Sequence, residues 1–560
     1  MHKELQSYLQ GRWRAGCEEC ANGWKTLRHR GPSQLQFWLI ALVIGVAAGM
    51  AALGFRVAIL YLQEFFYGAS DKSLHSKLSE LHWAWVLGIP IAGGLAVGII
   101  LQLFSREGRV QSVADVIEGA ALREGRVNQR EGLVSSLISL ITLSTGGSTG
   151  REGPVVQLGA VISTYVSKLI RADGITARDL MGCAAAAAVS ASFNAPIAGT
   201  LFALEVVLRH FAVHAFAPIV IASVAGTLVS RWQMGNVTEF ALPAGDIGFY
   251  VELPAFLLLG LVCGLVAFIL IRSIFIAEEV GDLVQRTTRM PDWLRPGVTG
   301  ALLGGMAIWF PHIIGVGYET TSRVLTGQIG LGLVVLFVMV KIVAVSITFA
   351  GRMGGGIFSP SLMVGAMTGL AFGYVATGIA PSLSGAETLY ALAGMGAVAA
   401  AVLGAPISTT LIIFELTGDW QAGIAVMVSV SLASALNARM VDRSYFLTQL
   451  KRRGIKLSEG PQAYVLGTIS AGRVMRPHGA EDGASETRCL ELLEQGVSLT
   501  SDATLERAFA LFDNGKSEII PIVEAGDGES PPGLLGALFY VDALKAYNRA
   551  LAEIAREEHS

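Results

Sequence analysis

Long stretches without a charged residue are the feature that most restricts the fold of this chain. Five of them are Phe37–Phe55, His82–Ser105, Leu253–Ile271, Met353–Ala386 and Thr388–Phe414. A helix that crosses the hydrocarbon core of a bilayer needs about 20 apolar residues, so several of these runs are long enough to cross. Only 15% of the residues are charged, whereas an ordinary soluble domain has about 25%. The sequence therefore predicts a polytopic membrane protein.

The distribution of charge predicts how the chain lies in the membrane. From Leu457 onward there are 17 acidic and 8 basic residues, whereas the preceding part carries a net positive charge. Basic residues cluster before the first apolar run, in an N-terminal arm of residues 1–35, and again after the last run. By the positive-inside rule both termini are cytoplasmic and the number of full crossings is even. We expect the arm to meet lipid headgroups rather than nucleic acid.

Two similar halves are visible within the apolar region. The segment from Asn194 to Glu205, NAPIAGTLFALE, resembles the segment from Gly404 to Glu415, GAPISTTLIIFE. The loop 150–154 matches the loop 356–360 at nearly the same offset, and both loops are broken by glycine and proline. Backbone exposed by such breaks is tolerated at membrane depth only where it lines a protein cavity. Interrupted helices at equivalent places in two halves therefore predict a site near the bilayer midplane.

The first of these loops, Gly150-Arg-Glu-Gly-Pro154, has the composition of an anion site. Its glycines allow main-chain N–H groups to point into a cavity, and the following helix, predicted over Val155–Ile170, adds the positive end of its dipole. Partial charges hold an anion weakly enough for it to leave again. The Glu152 carboxylate lies beside these donors and competes for the same place. An ionisable residue at membrane depth favours function over simple helix capping, so we interpret Glu152 as a gate.

Taken together, GREGP, GGGIFSP and the paired NAPIAGTLFALE and GAPISTTLIIFE segments resemble the CLC family of chloride channels and proton/chloride exchangers. The resemblance covers residues 36–450, with halves at about 36–232 and 250–440. It implies an all-α membrane domain built as an inverted repeat of broken and tilted helices, in a bacterial inner membrane, and a homodimer with one pore in each subunit. Glu152 would be the external gate, with chloride bound by main-chain amides around Arg151, Gly153, Ile357 and Phe358. Tyr445 would supply a hydroxyl to the central site.

One departure from the family pattern concerns the first anion-binding segment, which is usually GSGIPE. The equivalent stretch here contains Ser112, which remains as the central-site hydroxyl and within the family favours chloride over nitrate. Val113 and Asp115 replace a glycine and a proline, so the sequence does not determine the main-chain geometry of this segment.

A second departure concerns mechanism. Family exchangers usually carry an internal glutamate at the position of Val206, and valine cannot relay a proton. This favours channel-like or weakly proton-coupled chloride transport. A 2 chloride/1 proton antiporter is the alternative, because some exchangers of the family work without that acid. The neighbouring Glu205 is expected to pack or cap, as Glu415 does in the other half.

Residues 460–560 change character and read as a small cytoplasmic α/β domain. The expected order is a strand over 497–500, a helix over Thr504–Phe512, strands over Glu518–Val523 and Leu534–Phe539, and a helix over Val541–Ile554. This stretch resembles one CBS motif, which could pair with its copy across a dimer. Nucleotide-binding CBS motifs have Ser or Thr three residues before the final aspartate. Here Asp542 is preceded at that spacing by Phe539, which argues against nucleotide binding.

The remaining signals for chemistry are weak. Cys17 and Cys20 form the only close cysteine pair, and no second ligand pair lies nearby to complete a metal site. No zinc-protease or nucleophile-elbow motif occurs in a usable context, so we expect no enzyme activity, no metal and no cofactor.

Overall fold

The computed structural model describes residues 33–557 apart from 71–72, 210, 212, 236–248, 382–385, 442–443, 456, 458–465, 468, 481–482, 516 and 525–532. Most of the N-terminal arm, with Cys17 and Cys20, therefore lies outside the described residues. Seven of the described helices are long and apolar enough to cross a membrane, and shorter apolar helices lie between them. The predicted polytopic membrane architecture is confirmed.

Nine α-helices lie in the described residues of the first half of the membrane domain. They are α1 Gln34–Tyr67, α2 Leu74–Leu78, α3 Trp83–Phe104, α4 Val113–Leu122, α5 Gln129–Thr145, α6 Glu152–Leu169, α7 Gly174–Phe193, α8 Pro196–Phe202 and α9 Val213–Met234. Helix α8 continues directly into a π-helical turn, Ala203–Leu208. Such turns are rare and occur often at functional sites.

The second half contains helices of corresponding character. They are α10 Phe249–Thr288, α11 Leu294–Trp309, α12 Tyr318–Leu325, α13 Leu331–Ala350, α14 Phe358–Ile379, α15 Glu387–Leu403, α16 Pro406–Thr417, α17 Trp420–Met440 and α18 Tyr445–Arg452. A short 3-10 turn, Pro311–Ile313, precedes α12.

The repeated segments fold alike because the residues that end and restart their helices occupy equivalent positions. Helix α7 ends at Asn194 and α15 ends at Gly404, and both residues adopt left-handed φ angles, of 59° and 69°. These conformations suit asparagine and glycine and end a helix cleanly. Two residues further, Pro196 and Pro406 occupy the first helical turn, where the missing N–H costs nothing. The resemblance seen in sequence is therefore a resemblance of local structure.

The C-terminal unit is a small α/β structure whose elements follow the predicted order. It comprises α19 Ala471–Val474, β1 Arg476–Pro477, α20 Glu486–Glu494, β2 Leu499–Thr500, α21 Leu505–Gly515, β3 Ile519–Val523, β4 Leu534–Phe539 and α22 Tyr540–Glu557. The sheet order is β1-β4-β3-β2, with β2 parallel to β3 and the other pairs antiparallel. The expected order lacked α19, α20 and the short edge strand β1. A two-residue strand such as β1 carries no alternation to detect.

This unit rests on the ends of the membrane helices. Glu124, just after α4, accepts hydrogen bonds from Thr500, at 3.1 Å, and from Arg507. Arg178 on α7 and Glu506 on α21 are both buried and lie 3.8 Å apart. Helix α4 also carries Ser112 at its other end. The C-terminal unit is thus in direct contact with a helix that begins at a predicted anion-binding residue.

Candidate anion site and its cavity

The two repeated loops meet face to face in the core of the membrane domain. Gly150 and Gly356 form an antiparallel bridge, in which each N–H donates to the other's carbonyl at 2.7 Å. A Cβ atom on Gly356 would lie 2.8 Å from the main-chain nitrogen of Gly153. Only glycine permits this approach. The glycines recognised in the sequence therefore serve to bring the two half-domains into main-chain contact.

Two helices start at this junction. Helix α6 begins at Glu152 and α14 at Phe358, each with proline as its third residue. The start of α6 lies three residues before the predicted one, because the proline occupies the helix rather than preceding it. Within the described residues, the main-chain N–H groups of Gly153, Ile357 and Phe358 donate no hydrogen bond. Free N–H groups at two converging helix N-termini attract negative charge.

The Glu152 carboxylate lies at this convergence. Its side chain is 2% exposed, and Oε1 accepts a hydrogen bond of 2.5 Å from the Ser359 hydroxyl. The other oxygen, Oε2, has no hydrogen-bond partner in the described part of the chain. A Cβ atom on Gly150 would lie 2.6 Å from Oε2 and 3.1 Å from the Ser359 main-chain nitrogen, so glycine leaves room for the carboxylate. The carboxylate thus lies buried where the N-terminal ends of α6 and α14 meet.

The neighbouring side chains point into the protein. The Arg151 guanidinium donates to the Ser192 carbonyl at 3.3 Å and lies 5.0 Å from the centre of the Tyr318 ring. The Phe358 ring packs against Phe193, with ring centres 4.8 Å apart, and Ile357 is buried. At these positions the groups left for an anion are main-chain amides, the kind of donor that the sequence suggested.

Ser112 and Tyr445 lie at a second location, where α4 and α18 meet. The Ser112 hydroxyl donates to Oε1 of Gln449 at 3.2 Å, and Gln449 is one helical turn beyond Tyr445. Tyr445 is buried with its ring stacked on Phe275, at 5.4 Å between ring centres. Its hydroxyl has no hydrogen-bond partner among the described residues. A buried hydroxyl without a partner has unused capacity to donate to an anion.

Asp115 accounts for the altered motif that precedes α4. Its Oδ2 accepts the Ser112 N–H at 2.7 Å and thereby caps the helix. Oδ1 lies 2.7 Å from Arg109 and 3.0 Å from Arg453, so both oxygens are engaged. The helix therefore starts normally without the family's glycine and proline, with Val113 as its first residue. Because Asp115 takes the Ser112 N–H, Ser112 can contact an anion only through its hydroxyl, which here donates to Gln449.

A cavity of about 300 Å³ reaches Ser112 and Gln449. Ser112 and the glycines 354–355 line one part of it, Phe275, Glu278 and Phe349 line the wall, and arginines line the rest. The neighbouring residue, Gly356, forms the bridge to the Glu152 loop. The cavity therefore reaches to within one residue of the Gly150–Gly356 bridge.

Glu205 and Glu415 cap helices across the repeat. Glu205 accepts the main-chain N–H groups of Ile407 and Ser408, at 3.0 and 2.8 Å. Glu415 accepts those of Ile197 and Ala198, at 3.0 and 2.8 Å. Each half thus caps the short helix of the other half, which confirms the expected capping role.

Several contributors escaped sequence reasoning. Ser359, the partner of Glu152, belongs to the repeated loop but stands where the first half has Gly153, so the repeat gave no hint of its contact. Gln449, the partner of Ser112, belongs to no motif recognised in the sequence.

Lys341 is a buried charged residue outside these two locations. It is fully buried on α13 and donates to the carbonyls of Ile313 and Gly315, at 3.1 and 3.3 Å. A charged residue inside an apolar run was the available signal for it.

The chain is similar to known anion transport proteins. The family model described as "Voltage gated chloride channel" matches residues 93–438. A putative chloride channel protein ClcB-like of Ralstonia nicotianae is 32% identical over 394 residues, which cover 70% of this chain and 91% of that protein. An H⁺/Cl⁻ exchange transporter ClcA of Vibrio parahaemolyticus is 27% identical over 433 residues, 76% of this chain and 91% of that one.

A solved structure has the same fold. A eukaryotic CLC transporter superposes with a TM-score of 0.64 at 18% identity, covering 91% of this chain and 98% of the other. With the matched family segment spanning more than half of the sequence, and with the glycine bridge and the two helix starts described above, the chain belongs to the voltage gated chloride channel family of membrane anion transport proteins.

Proposed function

We propose that this protein conducts chloride across the membrane through a pore gated by Glu152. The observation that carries the proposal is the buried Glu152 carboxylate, held by the Ser359 hydroxyl where α6 and α14 begin. A carboxylate and a chloride ion compete for the same weak donors, so the seated side chain closes the path. Protonation or displacement by an anion releases it. Arg151 has its side chain engaged with Ser192 and Tyr318, which favours weak binding by partial charges and rapid release.

Transport is channel-like or weakly coupled to protons. Val206 is buried and apolar within the π-helical turn. Both carboxylate oxygens of Glu205 accept main-chain N–H groups at the start of α16. Neither residue supplies a free carboxyl for proton relay. A 2 chloride/1 proton antiporter is the alternative, supported by the name of the Vibrio relative.

The remaining assignments concern assembly and the anion path. We infer a homodimer with a pore in each subunit, in a bacterial inner membrane with both termini cytoplasmic. Chloride would meet the amides of residues 151, 153, 357 and 358 near the gate, and the hydroxyls of Ser112 and Tyr445 deeper in the path.

The C-terminal unit is assigned as a CBS-like module that does not bind nucleotide. Arg476 donates to Asp542 at 2.7 Å and lies over the Phe539 ring, at 4.2 Å from its centre. The aspartate that a nucleotide would need is therefore already engaged.

Flux in reconstituted vesicles tests the proposal. We expect a chloride gradient to drive chloride efflux, and Glu152→Gln to raise it and remove its dependence on external pH. Uphill proton movement driven by chloride would establish the antiporter instead. Unchanged gating in Glu152→Gln would refute the gate, and absence of chloride flux would refute the function.

A further inference from the structure

The cavity that reaches Ser112 has one wall formed by a single helix. Phe275, Glu278 and Asp282 of α10 all line it. Their spacing of three and then four residues places them on one face of the helix. The Phe275 ring covers Tyr445, so Glu278 lies one turn away from a predicted anion-binding side chain.

The two carboxylates on this wall differ in their partners. Asp282 lies 2.5 Å from Arg295 and 3.6 Å from Arg352. Glu278 is half-buried, yet forms no hydrogen bond or ion pair with any residue that the structure describes. Of the two carboxylates on this wall, Glu278 is therefore the one without a direct ion pair among the described residues.

Other charged groups face Glu278 from every neighbouring element. They are Arg452 at the end of α18, Arg453 directly after it, Arg295 from α11 and Asp282 from α10. The Tyr445 hydroxyl of α18 is also close enough to interact electrostatically. Arg109 and Arg352 complete the basic lining of the cavity.

The arginines are held by other acids. Arg453 lies 3.0 Å from Asp115, Arg295 is bound to Asp282, and Arg452 is paired with Glu279. Arg352 lies 3.2 Å from Asp292 and Arg109 lies 2.7 Å from Asp115. The basic lining attracts anions into the cavity, while no single arginine is committed to Glu278.

We propose that Glu278 is a proton-binding site of this cavity whose occupancy is linked to that of the anion. A chloride ion and the ionised carboxylate repel each other, so chloride binding draws a proton from bulk water onto a Glu278 oxygen. At a separation of about one side chain, this repulsion changes proton affinity by about tenfold or more. Linkage is reciprocal, so protonation of Glu278 strengthens chloride binding by the same factor. The inference rests on the proposed function and identifies a carboxyl for weak proton coupling that Val206 does not provide.

Calorimetry of chloride binding to the full-length protein tests this site. Titrations in two buffers of different ionisation enthalpy report the protons taken up per chloride bound. The Glu152→Gln background removes the contribution of the gate. We expect that background to retain uptake of a measurable fraction of a proton, and Glu278→Gln added to it to abolish the uptake. Glu278→Asp, which keeps a carboxyl, should retain it.

Glu64→Gln is the matched control. It makes the same chemical change on α1, at an exposed residue that does not line the cavity. Glu279 is unsuitable for this purpose, because its loss would release Arg452 from its ion pair beside Glu278. We expect normal proton uptake in the Glu64→Gln variant.

The outcomes separate the two proposals. If chloride neither binds nor passes through the wild-type protein, the proposed function fails. If chloride binds and flows but Glu278→Gln leaves proton uptake unchanged, or if the Glu152→Gln protein takes up no proton at all, only the Glu278 assignment is overturned. A Glu278→Gln protein that does not elute as a single species in gel filtration is replaced by Glu278→Ala in the same titration, with the same expected loss.

Discussion

Removal of the Ser359 hydroxyl is the most direct test of the proposed gate. It donates a hydrogen bond of 2.5 Å to Glu152 in a buried site, and it is the one side-chain donor that the carboxylate has among the described residues. Ser359→Ala removes this bond and leaves the main chain of α14 unchanged. The substitution should therefore favour release of the carboxylate without rebuilding the site.

The size of the effect follows from the bond. A hydrogen bond to a charged group contributes about 1.5–3 kcal/mol. Since about 1.4 kcal/mol corresponds to a factor of ten, the ratio of released to seated carboxylate should rise about tenfold to a hundredfold. Chloride efflux from vesicles at neutral external pH should rise with it, up to the rate at which the open path conducts.

A double-mutant cycle separates gating from direct anion contact. In the Glu152→Gln background the gate no longer competes with chloride as a charged group, so Ser359→Ala should have little further effect on flux. Ser361→Ala is the matched control, because that hydroxyl bonds to the Phe358 carbonyl at 2.6 Å and not to Glu152. An equal effect of Ser359→Ala in both backgrounds, or no effect in the wild type, would refute the reasoning.

Three further predictions concern stability and docking. Glu205→Ala should lower the free energy of unfolding in detergent by about 1–3 kcal/mol, because the N–H groups at the start of α16 lose their acceptor; an unchanged unfolding midpoint would contradict the cap. Burial lowers the pKa of His312 to about 3, and Lys341 and His75 add to the shift. The neutral ring therefore contributes stability above about pH 6.5 that is lost as pH falls toward 3, so His312→Phe should flatten the acid decline in melting temperature; parallel pH profiles would refute this. Glu124→Ala should speed amide hydrogen exchange in α21 by about tenfold or more, since Arg507 loses a buried partner; unaltered exchange would mean that this contact does not hold the C-terminal unit.

Much of the membrane domain was readable in the sequence because its signals are local. The length of an apolar run can be compared directly with the thickness of the bilayer. Glycine and proline break helices in any tertiary surroundings. The repeated segments around Asn194 and Gly404 end and restart helices through residues whose conformational preferences are intrinsic. The short strand β1 was missed for the opposite reason, since its pairing with β4 comes from contacts distant in sequence.

The same distinction between local and distant signals applies to the candidate site. The sequence indicated that Glu152 and the glycine loops could bind or compete with anions, because helix-start chemistry depends on a few adjacent residues. It left the consequence of Asp115 open, because the arginines that balance this carboxylate, Arg109 and Arg453, are brought to it partly by α18.

The sequence by itself determined that the chain spans a membrane, that it has two related halves, and which loop carries an ionisable residue beside helix-start amides. Only the tertiary structure decided that Ser359 holds Glu152, that Glu205 and Glu415 cap each other's half, and that Glu278 faces the cavity without a direct partner among the residues described. The reason is physical. Hydropathy and main-chain preferences act within a few residues, whereas the partner of a charge is chosen by how distant helices pack.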